Sequence, residues 1–131
     1  MRRQAFSLDE ANAMIPDLVR QFEELRVLQQ QAEEREEQLE KLVELDRSNG
    51  RNHGDEIARI ENEIEGIVLR TNRIIDDITD LGCEIKDVER GLVDFPSERD
   101  GRLVYLCWKL GEDQIRYWHE LTSGYAGRQP L

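Results

Sequence analysis

The groups in this chain best able to hold a metal or move a proton crowd into its last 49 residues: Asp94, Cys107, Glu112, His119 and Glu120. Taken as a helix from Glu112, that segment puts Glu112 and His119 on nearly the same side, because they are seven apart and each helical residue turns by about 100°. An imidazole and a carboxylate there, joined by Asp94, Cys107 or Glu120, offer the nitrogen, oxygen and thiolate ligands that suit zinc or iron. Cys107, Glu112 and His119 are therefore candidate metal ligands, and a divalent metal is the cofactor they would take. No motif names it, since the chain has neither H-x-x-x-H nor C-x-x-C. The plainer reading of His119 is a hydrogen-bonded side chain at the margin of a core.

A second chemistry in the same region is anion binding. Asp94, Arg102, Trp108 and Arg128 form a candidate ligand-binding set, with Trp108 or Trp118 as a stacking floor and Arg116 near it. The competing assignments are structural: Arg116 bridging Glu112 and Glu120 along the helix, Arg128 pinning the chain end, and Asp94 pairing with Arg102 across a hairpin. His119-Glu120 is a poor acid/base pair, because adjacent helical residues diverge. With no G-x-S-x-G and no glycine-rich phosphate loop, the sequence leans away from an enzyme.

These residues need elements to position them. Phe6-Ser7-Leu8-Asp9-Glu10 reads as a capping box opening a short helix, which Pro16 bends or restarts. Good helix formers run from Asp17 to about Asp46, their apolar side thinning between Gln29 and Gln38. The run from Ser48 to Gly54 is turn-like, with His53 taken as exposed and inert. Asp55 to Gly82 then carries Ile57, Ile60, Ile64, Ile67, Thr71, Ile74, Ile78 and Leu81 at 3,4 spacing, the seam of a helix held against another. Two long helices joined by a short turn fold back antiparallel.

Past Gly82 the text changes, and six of the eight aromatics lie there. Cys83 to Val88 and Leu92 to Phe95 read as strands, the second ending at Pro96, and Asp100-Gly101 turns into a third strand from Arg102 to Leu110. That strand is apolar on both faces, so it needs two covers: the helices, and either a helix over Glu112 to Leu121 or a second copy of the chain.

The formal net charge of -11 disfavours nucleic acid and anionic membranes as partners, and the acidity sits mainly in residues 1–82 (20 acidic against 11 basic). No apolar stretch reaches membrane-spanning length and Met1-Arg2-Arg3-Gln4 leads into polar sequence, so the expected address is the cytoplasm. Cys83 and Cys107 are expected to be structural thiols.

The strings Gly91-Leu92-Val93-Asp94-Phe95-Pro96, Val104-Tyr105-Leu106-Cys107-Trp108, Gly111-Glu112, Trp118-His119 and Gly127-Arg128, with the opening Phe6 to Asn12 and Pro16, are similar to a small prokaryotic family catalogued as domain of unknown function 2203. The resemblance spans essentially the full length and implies an architecture and a compartment. It transfers no catalytic residue.

The expected fold is mainly α (α+β) in one domain, 1–131. A long antiparallel, coiled-coil-like helical hairpin (7–82) carries a three-stranded antiparallel sheet with a short C-terminal helix and tail (83–131). The apolar surface left over predicts a homodimer or other homo-oligomer. The leading functional expectation is a self-associating interaction or scaffold module with a possible protein partner. The alternative is a protein binding a metal or small anionic ligand, possibly an enzyme, through its aromatic part.

Overall fold

The computed structural model describes residues 5–49 and 52–131; Met1 to Gln4 and Gly50-Arg51, read above as a polar lead-in and part of the turn, lie outside the described residues. Helices α1 (Leu8–Ala13), α2 (Ile15–Asn49) and α3 (Gly54–Asp80) precede strands β1 (Glu84–Asp87), β2 (Leu92–Arg99), β3 (Arg102–Lys109), β4 (Tyr117–His119) and β5 (Gln129–Pro130), with a 3-10 turn at Tyr125–Gly127. The chain divides into two compact units, Glu24–Ile74 and the remainder.

The Glu24–Ile74 unit is the helical hairpin. Arg70 reaches Glu24 (Nε to Oε1 2.8 Å) and Arg35 reaches Glu63 (2.9 Å), so positions rise on one helix as they fall on the other, which makes the pair antiparallel. Leu25, Leu28, Ile60 and Ile74 are buried, and Ile57, Ile64, Ile67 and Thr71 half-buried. The seam is thus the inner face of α3 here, and Thr71 fits it because its hydroxyl bonds the carbonyl of Ile67 (2.8 Å). Arg35 spans the polar middle of α2 where apolar residues run out. His53 is not inert: its backbone N–H donates to the Asp46 carboxylate (2.7 Å), and its ring Nδ1 faces the same group.

The other unit holds α1, the first turns of α2, the last turn of α3 and the sheet. The capping box at Ser7 and Glu10 is formed, α1 ends at Met14, and α2 restarts with Pro16 in its first turn, where no N–H is required. After α3, Gly82 adopts φ +103°, and a Cβ there would stand 3.3 Å from the Phe6 ring, so glycine both turns the chain and admits that ring.

Among the described residues the sheet has five strands in the order β1-β2-β3-β4-β5, all antiparallel, rather than three. Strand β2 does not stop at Pro96 but runs through it. The Pro96 carbonyl accepts from the Phe6 N–H (2.7 Å), and a strand residue's N–H points to the same side as its C=O, so the missing donor faces away from β3 and costs no ladder bond.

The segment after Gly111 is also not a helix. Ile115, Trp118 and Leu121 have helical spacing, yet β3 offered a free edge, and Tyr117-Trp118-His119 are residue types that favour a pleated surface. They pair along that edge as β4, and the backbone leading in is held by Ile115 N–H on the Asn12 side chain (2.8 Å).

Register separates the faces. Val93, Phe95, Val104, Leu106, Trp108 and Trp118 point one way, toward the helices of this unit, where Phe95 meets Phe6 edge-on at 5.4 Å and Trp108 meets Phe22 at 6.3 Å. Asp94, Tyr105, Cys107, Tyr117 and His119 point the other way. The second cover for β3 is therefore the chain's own end, from Leu121 through the Tyr125 turn.

Candidate metal centre

The two-residue turn at Asp100-Gly101, both with positive φ, is what aligns β2 with β3. From it the register counts back to Arg99 opposite Arg102 and Asp94 opposite Cys107. Strand β4 then sets His119 opposite Tyr105, two residues from Cys107 on the same face. Three neighbouring strands so deliver Asp94, Cys107 and His119 to one spot, where one ligand atom from each lies within 4.8 Å of the others. All three residues are buried, at 3%, 1% and 1% exposure.

Hydrogen bonding fixes the role of one ring nitrogen of His119. Its Nδ1 lies 2.7 Å from the carbonyl oxygen of Glu120, so Nδ1 carries a hydrogen and donates it. In a neutral ring Nε2 is then a lone pair, aimed at Asp94 Oδ1 3.0 Å away. Two acceptors that close require something positive between them: a proton on one of them, or a metal ion. Asp94 is pushed upward from the ordinary carboxylate range by burial, against the opposing pull of His119 and of its hydrogen bond with Cys107. Burial, reinforced by the Asp94 charge, drives the Cys107 thiol up to about 12. Without a cation the cluster therefore retains protons.

The other expected site residues lie around this cluster, not within it. Glu112 is not a ligand partner of His119, since the segment between them is extended and turned. Both its carboxylate oxygens take Arg128 Nη2 (2.8 Å each), and Oε1 also takes the Lys109 N–H. Arg128 is wedged between the Tyr117 and Tyr125 rings (4.1 and 4.6 Å) and reaches the Cys107 carbonyl, so it braces β3 behind the cluster. Trp108 is wholly buried on the helix side, its Nε1–H donating to the Glu112 carbonyl (2.8 Å). Arg102 is not the mate of Asp94: it pairs with Glu120 and lies by the Trp118 ring, five residues along β3 from Cys107, which is the residue that faces Asp94. Arg116 bonds Asp113, not Glu112 or Glu120. Both cysteines are free; Cys83 donates to the Ile78 carbonyl and takes no part in the cluster.

A cavity of about 230 Å³ opens on the cluster, lined by Asp94, Cys107 and His119 together with Lys86, Tyr105 and Tyr125 among others. Tyr105 was not singled out in the sequence, although its place two residues before Cys107 on a strand puts it on the same face.

Fold and cluster together define an α+β protein with a buried Asp-Cys-His group on the sheet face turned away from its helices. By comparison with known families, the chain belongs to the one described as an uncharacterized conserved protein, DUF2203, whose model matches residues 4–131. No curated protein and no solved structure matches it. Among the described residues, no helix is long and apolar enough to cross a membrane.

Proposed function

We propose that this protein binds one divalent transition-metal ion, zinc or iron by the chemistry of its donors, through Asp94, Cys107 and His119. The observation that carries the reading is the unshielded approach of His119 Nε2 to Asp94 Oδ1 at 3.0 Å beside the Cys107 sulfur, a gap that a cation fills as well as a proton does. Ligand atoms around a four-coordinate metal stand about 3.5 Å apart, given bonds of roughly 2.0–2.3 Å, so from separations of 3.0 Å to at most 4.8 Å the Asp94–His119 pair opens by about half an ångström and the widest pair closes by about 1 Å. The carbonyl of Glu120 supplies the outer hydrogen bond that orients a metal-binding imidazole. Three protein ligands facing a cavity leave a fourth position open.

Elemental analysis of untagged protein is expected to find about one zinc or iron per chain, and His119→Ala and Cys107→Ala to hold less than roughly a tenth of that. Folded protein that takes up neither metal when supplied with both would overturn the reading.

Self-association is a second reading, favoured by one observation in the hairpin unit: Val27, Val68 and Leu69 are 51%, 48% and 64% exposed. Apolar side chains at that exposure are the kind a second copy covers. Light scattering is expected to return about twice the chain mass, falling on Leu69→Lys; a monomer at every concentration removes this reading.

A further inference from the structure

We propose that the open position of the metal is taken by the carboxylate of a small organic monoacid whose apolar body lies in the adjoining cavity. This rests on the metal reading above and adds the class of molecule the site receives.

Size comes first. The cavity measures about 230 Å³, while an apolar protein cavity of about 150 Å³ accepts a benzene ring. A single ring or short branched chain with a carboxylate attached therefore fits, and a nucleotide does not. The lining divides in the same way. Leu92, Leu121 and Tyr125 supply apolar lining, the Asp94-Cys107-His119 cluster the polar end, and Lys86 and Thr122 line it as well.

Charge then selects the headgroup. A divalent metal held by the Asp94 carboxylate, the Cys107 thiolate and a neutral imidazole is a centre of zero net charge. A monoanion bound there adds one negative charge, and the cation that lines the cavity beside it is Lys86, which shares its charge with Glu84. The Lys86 ammonium lies 5.1 Å from the Tyr105 ring centroid, and its charge is felt at Asp94. Its other charged neighbour is Glu84, which accepts from it at 2.9 Å and also from the Tyr105 hydroxyl at 2.7 Å. An ammonium has three N–H donors, so the bond to Glu84 leaves it able to donate to a ligand as well. A dianion such as phosphate would bring a second charge against Leu92 and Leu121 with nothing to balance it, and burying such a charge is costly. A carboxylate oxygen also suits a borderline metal of the zinc or iron kind.

Cobalt(II) makes the coordination visible. Protein loaded with cobalt is titrated with benzoate, with benzyl alcohol as an uncharged molecule of the same size, and with inorganic phosphate. Benzoate is expected to shift the cobalt visible bands saturably, and the other two to leave them unchanged at the same concentrations. Lys86→Gln should weaken benzoate about fivefold with cobalt content unchanged. Leu121→Asp, at a side chain 45% exposed and so tolerant of change, should abolish the response while cobalt remains bound. Protein with stoichiometric cobalt whose spectrum ignores benzoate overturns the proposal and leaves the metal reading standing. Phosphate acting as strongly as benzoate, with Lys86→Gln indifferent, also overturns it in favour of a simple anion site. Failure to take up cobalt at all removes the metal reading and this proposal with it.

Discussion

Zinc affinity is expected to rise about tenfold for each unit of pH between 6 and 8, a hundredfold overall. On the proposed metal reading the ion would take Cys107 as thiolate, and burial with the Asp94 charge has pushed its thiol up to about 12. Throughout that range the metal-free protein therefore holds the proton, and each binding event must expel it. The sign follows: fewer protons in solution favour the metal-bound form. Asp94, raised by burial, adds a second proton at the acid end and steepens the loss there. Competition with a chelator of known affinity at each pH measures the slope, and a weakly buffered titration should register about one proton released per metal near pH 8. An affinity flat across these two units would mean that Cys107 does not ligate as thiolate.

Trp108→Ala is expected to cost about 3–5 kcal/mol, a large share of the roughly 5–15 kcal/mol that holds a domain together. Trp108 is fully buried, its ring contacts Phe22 at the start of α2, and its indole N–H satisfies the Glu112 carbonyl. Removing it opens a cavity between the sheet and the helices and leaves that carbonyl without its donor. Trp108→Phe keeps most of the ring and should cost about 1–2 kcal/mol, mainly the lost hydrogen bond. Urea unfolding followed by far-UV circular dichroism reads both. A loss below about 1 kcal/mol for the alanine variant would mean the site collapses around the gap more completely than packed interiors do.

Both predictions depend on the sheet, which the sequence disclosed unevenly. The Asp100-Gly101 turn was plain, and counting outward from it already pairs Asp94 with Cys107. Ending the second strand at Pro96 hid that pairing and suggested Arg102 as the partner of Asp94 instead. Proline was read as a terminator because it lacks a donor, yet here the donor would point off the ladder, toward Phe6. Reading Glu112 to Leu121 as a helix had a larger effect. It joined Glu112 to His119 on one face, whereas the extended chain sends Glu112 to Arg128 and brings His119 beside Asp94. Three apolar residues at a spacing of three are too few to separate a helical period from a strand with a turn on either side.

Local chemistry sufficed where the deciding forces act between near neighbours. Ser7 with Glu10, Pro16, the 3,4 seam of α3 and the Asp-Gly turn each declare themselves within a few residues, because caps, turns and helical periodicity are short-range. The same holds for the acidity of the helices and for the supply of possible ligands. Which ligands meet was a long-range matter. Strand β4 exists because β3 had an edge to pair, and β5 because β4 had one in turn; such hydrogen bonds join residues far apart in the chain and carry no period of their own. Asp94, Cys107 and His119 were each visible as single residues, but only the register of three strands and the Glu120 carbonyl behind the imidazole make them one buried group.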